Sequence, residues 1–333
     1  MRRGPSDKQI RARTRAAFCC AALVLLVLCV GVLFRVLDTS PPPSEESPAP
    51  TPRESAGVAV VFGTTGDPFG AAFLSQLADL CAQQGWRLIQ YDCGGKPDVQ
   101  EGQVVDFLSN ETADVAVLYA VGEQEAAAAQ VKALRERCGV ITVGRRVAPS
   151  ARRYVDVHVG GAENGAASAL GGYLNESRLK GGEVLLLMDL PDEESGARKR
   201  AFSAEGVAVL DENYTWGDKI YAERYLETGL DRFHEADAIV CASRHGTRGS
   251  LNTLRQRELR EKIKILSLTY DPSLDDDLAL GDLDAAAALS PKEAAEATVG
   301  LLPKVAKGEK VEETVLEYHV LTPENINETD LGY

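Results

Sequence analysis

Two doubly wound α/β lobes, each a parallel sheet with helices on both faces, are the fold class this sequence predicts, preceded by one transmembrane helix and a Pro-rich stalk. Three observations carry the prediction. From Gly57 onward, short apolar runs of strand length alternate with longer stretches of helical periodicity, the pattern of parallel sheets covered on both sides. The chain has 333 residues, more than one hydrophobic core usually serves, so two lobes are expected. Composition also shifts abruptly near residue 57, where a proline-rich stretch gives way to an ordinary globular sequence.

The segment before that point reads as an anchor. Ala16 to Phe34 is nineteen residues without a charge, which as a helix at about 1.5 Å per residue roughly spans a hydrocarbon core. A cleaved signal would have a shorter apolar core and a small-x-small site; the run instead leaves through Phe34-Arg35-Val36-Leu37-Asp38. Six of the seven basic residues of the first 38 (Arg2, Arg3, Lys8, Arg11, Arg13 and Arg15) precede the run and only Arg35 follows it. Basic flanks stay cytoplasmic, so everything beyond residue 38 is expected outside the cell membrane. Residues 1–15 are then a cytoplasmic basic segment, 16–37 the anchor and 38–56 a stalk whose prolines favour extended chain.

The elements of the ectodomain follow from periodicity. Gly57–Phe62 is a strand and Phe69–Gln84 a helix with Phe73, Leu77, Leu80 and Cys81 on one face. Next come strand Trp86–Tyr91, helix Val99–Leu108, strand Val115–Tyr119, helix Glu123–Arg137 and strand Val140–Val143. A second series runs through helix Asn164–Glu176, strand Glu183–Met188, a short helix near Arg198, strand Val207–Leu210 and helix Asp218–Leu230. It continues with strand Ala238–Cys241, helix Thr247–Arg260 and strand Ile263–Leu268, and helix Pro291–Lys304 and strand Thr314–His319 close it. The expected division is an N-terminal lobe of residues 57–158 with 285–316 and a C-terminal lobe of 159–284 with 317–333.

Composition excludes some functions. The formal net charge is −14, and because the first 38 residues carry a net +5, the remainder carries −19. So acidic a surface repels phosphate backbones and anionic head groups, which disfavours nucleic acid as a partner. Cys81, Cys93, Cys138 and Cys241 are scattered singly, with no CxxC and no Cys/His set at zinc spacing, and read as small apolar core residues. The histidines (His158, His234, His245 and His319) do not cluster. Asp275-Asp276-Asp277 reads as a solvated loop or helix start. With no nucleophile–base pair, metal set or cofactor fingerprint, no enzyme, metal or cofactor is expected.

In doubly wound sheets ligands bind beyond the carboxyl ends of the strands. After the first strand comes Gly63-Thr64-Thr65-Gly66-Asp67-Pro68-Phe69-Gly70, a tight turn into a helix that lacks the Lys-Ser/Thr of a phosphate loop. With ITVGRR at Ile141–Arg146, GAEN at Gly161–Asn164, SGAR at Ser195–Arg198, NYTWGD at Asn213–Asp218 and VLTPENI at Val320–Ile326, the order and spacing of these segments resemble the type I periplasmic binding proteins. These are the sugar-type solute receptors of ABC transporters such as ribose-binding protein, which share their fold with the ligand domains of lactose-repressor-like regulators.

The resemblance covers roughly residues 57–330 and implies a solute cleft between two hinged lobes. By position it implies that Asp67 and Phe69 contact the ligand, that Arg145 and Arg198 hold it from either lobe, and that Trp216 stacks on a sugar ring. Guanidinium forks and aromatic faces suit hydroxyls, carboxylates and the C–H side of a sugar. The same arginines would serve equally as surface ion pairs in so acidic a chain, and Trp216 as plain core. The chain departs from the pattern where Gly144 replaces an aspartate, where Ser243-Arg244 replaces an Asn-Asp pair, at Thr269, at Leu289, and where Gly70 replaces a second aromatic. Loss of acidic acceptors beside several arginines predicts a sugar acid or other anionic solute over a neutral sugar. The implied role is delivery to an ABC permease; the alternative is a sensor that passes ligand occupancy to a membrane partner such as a sensor kinase.

Overall fold

The computed structural model describes residues 56–122, 124–177, 182–189 and 195–333. The expected anchor, and all of the expected stalk but Ala56, lie outside them. Among the described residues no helix is long and apolar enough to cross a membrane.

Five strands open the first sheet: β1 (Gly57–Gly63), β2 (Trp86–Asp92), β3 (Val115–Tyr119), β4 (Gly139–Val143) and β5 (Val157–Gly161). Between them run helices α1 (Pro68–Gln83), α2 (Pro97–Asn110) and α3 (Gln124–Arg135). Ala59 to Phe62 of β1 and Val115 to Leu118 of β3 are wholly buried, as continuous apolar runs in a sheet covered on both faces should be. Phe73, Leu74 and Leu77 of α1 fill one face; Val104 and Phe107 of α2 with Val131 and Leu134 of α3 fill the other.

The second sheet contains β6 (Glu183–Met188), β7 (Ala208–Tyr214), β8 (Ala238–Cys241), β9 (Lys264–Ser267) and β10 (Ala285–Ala288). Its helices are α4 (Gly165–Glu176), α5 (Ser195–Ala204), α6 (Lys219–Arg232), α7 (Arg244–Gln256) and the short α8 (Asp275–Ala279). The chain then returns to the first sheet as α9 (Pro291–Ala306) and β11 (Thr314–Leu316) and ends in the second with β12 (His319–Leu321). The strand orders are β11-β5-β4-β3-β1-β2 and β12-β10-β9-β8-β6-β7. Every pairing is parallel except β10 with β12.

The structure keeps the expected boundary after residue 316 and moves the other two. Val157–Gly161 pairs with β4 and β11, so the first crossing falls after Gly161 and not at residue 158. Ala285–Ala288 pairs with β9 and β12, so it belongs to the second lobe although it was assigned to the first. Both strands escaped the periodicity reading because AAAA has no β-branched or aromatic residue and the two valines of VHVGG are followed by two glycines, which are depleted in strands. The closing strand expected over Thr314–His319 is two strands, one in each sheet, broken at Glu317-Tyr318. Asp277 of the acidic run is not solvated: it is buried in α8, 2.5 Å from Arg248 and 3.5 Å from Arg255.

Three crossings therefore join the lobes, at residues 162–164, 289–290 and 317–318. Tyr318 lies so close over Gly161 that a Cβ there would come within 2.2 Å of its ring, so glycine is what lets two of the crossings pass each other. Ser290 caps α9 by accepting from the Glu293 N–H at 3.1 Å, and its own hydroxyl donates to the Leu331 carbonyl at 2.8 Å.

Candidate ligand-binding cleft

The carboxyl ends of the two sheets face a cleft with a cavity volume of 680 Å³, inside the range of sites for small molecules. The first lobe supplies Asp67, Phe69, Tyr119, Gly144 and Arg145; the second supplies Ser243, Arg244, Thr269, Tyr270 and Asp271; Tyr318 and Tyr333 come from the closing segments.

Asp67 is fixed by its place in the turn. It is the N-cap of α1, accepting from the Gly70 N–H at 2.7 Å, with Pro68 opening the helix behind it. The Tyr119 hydroxyl, at the end of β3, donates to the same oxygen at 3.2 Å. Burial pushes the Asp67 carboxyl above its usual range; the Gly70 N–H and the Tyr119 hydroxyl oppose this, and the negative charge of Asp271 adds to it. Phe69 stacks on Tyr119 with centroids 5.7 Å apart and meets Tyr333 at 6.5 Å. Tyr333 in turn meets Tyr270 edge-on at 4.9 Å. The four rings make one aromatic run from Tyr119 in the first lobe to Tyr270 in the second.

Two departures from the resembled pattern have steric causes. Gly144 has φ +76°, and a Cβ there would lie 2.8 Å from the Tyr119 ring, so Tyr119 fills the space an aspartate would need. A Cβ on Gly70 would fall 2.3 Å from the Thr64 carbonyl oxygen. No side chain fits there, aromatic or otherwise.

The structure brings together Asp67, Phe69, Arg145, Ser243, Arg244 and Thr269, but not Arg198 or Trp216. Arg145 is exposed, and one of its nitrogens donates to the Gly122 carbonyl at 2.8 Å. Arg244 reaches toward Asp271 at 3.8 Å. Ser243 turns its hydroxyl onto Asp189 at 2.6 Å, where Thr215 also donates at 2.8 Å, tying the ends of β6, β7 and β8 together. The Thr269 hydroxyl donates to the Ala242 carbonyl at 3.0 Å.

Arg198 is buried in α5 beside Glu212 of β7, 3.8 Å away and itself only 3% exposed at its side chain, so the ligand role implied for it is corrected to one inside the second lobe. Trp216 is neither core nor cleft wall: it is 58% exposed, with φ +52° and its ring edge-on to Tyr214 at 6.4 Å. Arg146, which follows Arg145 in the chain, pairs with Glu313 outside the cleft. The locally basic site expected from the sequence is therefore not what the lining shows.

Sequence reasoning missed Tyr119, Tyr270, Asp271 and Tyr333. Tyr119 ends β3, and Tyr270 and Asp271 lie in the loop after β9, so the strand-end rule applied to every strand would have found them. Tyr333 follows no strand closely and left no signal.

The family described as periplasmic binding protein domain matches residues 58–310. No curated protein matches the sequence significantly. Among solved structures, a solute-binding protein of an ABC transporter from Bacillus halodurans with bound myo-inositol is 19% identical, with a TM-score of 0.69 over 85% of this chain and 100% of that one. A glucose-galactose binding protein from Geobacillus stearothermophilus is 16% identical, with a TM-score of 0.68 over 80% and 97%. A myo-inositol binding protein from Caulobacter is 20% identical, with a TM-score of 0.66 over 85% and 98%. At these identities the likeness is one of fold, two α/β lobes about a cleft. The family match covers most of the chain, and so the protein belongs to the periplasmic binding protein family, whose members bind solutes and are not enzymes.

Proposed function

We propose that this protein is an extracytoplasmic receptor that captures a small polyhydroxylated solute between its lobes and presents it to an ABC importer. One observation carries the reading: a cleft of 680 Å³ at the carboxyl ends of both sheets, walled by Phe69, Tyr119, Tyr270 and Tyr333 and holding the carboxylates of Asp67 and Asp271. Ring faces cover the C–H side of a sugar or cyclitol, and carboxylate oxygens accept from its hydroxyls. Three crossings of a few residues each let the lobes close over a solute by hinge motion. Proteins of the same fold are described with myo-inositol and with D-allose bound, which supports a polyol here.

The membrane attachment in this reading rests on the sequence alone, on the uncharged run Ala16–Phe34 and its basic N-terminal flank. Calorimetric titration of the full-length protein in detergent with monosaccharides and inositols tests the binding role, with saturable one-to-one binding of at least one of them expected. Protease added to intact cells tests the topology. It should cut within residues 39–56 and release the two-lobed part; a fully protected chain would rule out the outside location.

A further inference from the structure

The charges in the cleft are sorted by depth. Asp67 is half-buried, and Asp271 leaves 19% of its side chain exposed. Arg145 is exposed, and Arg244 leaves 54% of its side chain in solvent. The guanidiniums thus stand at the mouth and the carboxylates lie farther in. Arg244 approaches Asp271 only to 3.8 Å, and among the described residues no lysine or arginine pairs with Asp67. A carboxylate held in a partly desolvated site without a counter-ion is costly unless something else brings the positive charge.

The hydrogen-bonding of the tyrosines points the same way. Tyr119 donates to Asp67 at 3.2 Å, Tyr270 to Asp275 at 2.5 Å, and Tyr333 to the Leu289 carbonyl at 3.2 Å. Their hydroxyl protons are therefore committed within the protein. What these walls present to a solute is ring faces and acceptor oxygens. The Gly70 and Tyr119 bonds both end on Oδ1, and with the Phe69 N–H also a partner of this carboxylate its two oxygens, with about four lone-pair sites, still have room to accept from a solute. Ring faces beside anionic oxygens suit a cation, attracted by the ring quadrupoles and by a charge-assisted hydrogen bond.

We propose that the solute carries a protonated amine, as an amino sugar or amino polyol does, with its ammonium against Asp67 and the Phe69–Tyr119 ring pair and with Asp271 adding to the field from the second lobe. This rests on the cleft being the solute site. It replaces the anionic solute expected from the arginines, because Arg198 and Arg146 lie elsewhere and Arg145 and Arg244 stand at the rim.

The test pairs charged and neutral probes on the full-length protein in detergent at pH 6.5: D-glucosamine and D-galactosamine, their N-acetyl forms, D-glucose, D-galactose and D-glucuronate. Calorimetry is expected to show at least tenfold tighter binding of an amino sugar than of its neutral parent. The N-acetyl form, whose charge is removed, should bind no better than that parent. Asp67→Asn, which keeps a residue able to cap α1, should bring the preference below threefold, and Asp271→Asn should reduce it. Equal binding of the charged and neutral sugars, or a preference for glucuronate, overturns the amine and leaves the polyol receptor standing. Binding of none of the probes overturns the polyol receptor and the amine with it.

Discussion

The ring of Tyr333 meets that of Tyr270 edge to face, 4.9 Å between centroids at an interplanar angle of 74°. The two arrive from different supports. Tyr270 follows β9 in the second lobe, whereas the backbone leading to Tyr333 is held by the first lobe, where the Gln76 amide donates to the Gly332 carbonyl at 2.9 Å and Ser290 donates to that of Leu331. Leu331 packs its side chain in the second lobe's core, so the closing segment is held by both lobes and the ring pair braces it beside the cleft. Tyr333→Ala should lower stability by about 1–2 kcal/mol, the sum expected for an edge contact and one hydrogen bond. Tyr333→Phe, which loses only the bond to Leu289, should cost about 1 kcal/mol or less. Urea unfolding of both variants measures this, and equal losses would show that the ring contact contributes nothing.

Gly70 and Gly102 make a matched pair of opposite sign. A methyl at Gly70 meets the Thr64 carbonyl oxygen at 2.3 Å, whereas one at Gly102, inside α2, meets nothing within 4 Å. Gly70→Ala should destabilise by about 1–3 kcal/mol, as overpacking does, and should weaken solute binding by displacing the Asp67 turn. Gly102→Ala should stabilise by about 0.5–1 kcal/mol through helix propensity. Thermal unfolding of the two variants decides, and a neutral Gly70→Ala would mean that the turn shifts freely.

His158 gives the protein an acid-sensitive slope. Its ring is buried, Nδ1 lies 3.0 Å from the Thr142 hydroxyl and Nε2 has no hydrogen-bond partner among the described residues. Burial first, then the nearby Arg146, lowers its pKa from 6.5 to about 4. The folded protein thus keeps His158 neutral where the unfolded chain would protonate it. The stability this provides is complete above pH 6.5 and is lost as pH falls from there toward 4, on the order of 1 kcal/mol per pH unit. Asp67, whose pKa is raised, acts in the opposite sense in acid. His158→Gln should flatten the curve of stability against pH between 6.5 and about 4.5. A slope unchanged by the substitution would assign it to other groups.

Arg198→Ala separates stability from recognition. The side chains of Arg198 and Glu212 are 8% and 3% exposed, and removing Arg198 leaves Glu212 with Lys199 at 3.4 Å and the Tyr214 hydroxyl at 3.3 Å, at a cost of about 1–3 kcal/mol. The expected result is a large loss in urea unfolding with solute affinity within threefold of the parent. A protein of unchanged stability that no longer binds its solute would return Arg198 to the cleft.

The alternation of strands and helices was legible because a buried parallel strand must be a continuous apolar run, as GVAVVFG and EVLLLM are. Strands β5 and β10 were not, since glycine and alanine pack in a sheet only when neighbours cover them, and the covering helices come from distant sequence. At the site, Asp67, Phe69 and Arg145 were found because they sit in a turn that follows a strand. Arg198 and Trp216 were misplaced for a different reason. A family position fixes where the backbone runs, but Glu212 draws Arg198 inward, and Trp216 has a left-handed backbone that leaves it largely in solvent. The sum of charges gave no warning that the carboxylates would lie deep and the guanidiniums at the rim, because depth is set by side-chain packing across two lobes.

Helix α9 lends Ala294, Ala295, Val299, Leu302 and Val305 to the same core as Phe73, Leu74 and Leu77 of α1, and β11 closes the edge of that sheet. Both are encoded after all but the last strand of the second lobe. In the order of synthesis, the lobe begun first is completed only just before the lobe begun second. Until residue 306 has emerged, the apolar side of α1 lacks its cover, a state prone to misassociation. A nascent chain of this protein thus carries two unfinished halves, since the second lobe also awaits β12 and the core residues Leu321 and Leu331, and truncations anywhere before α9 should yield aggregates and not a working single lobe.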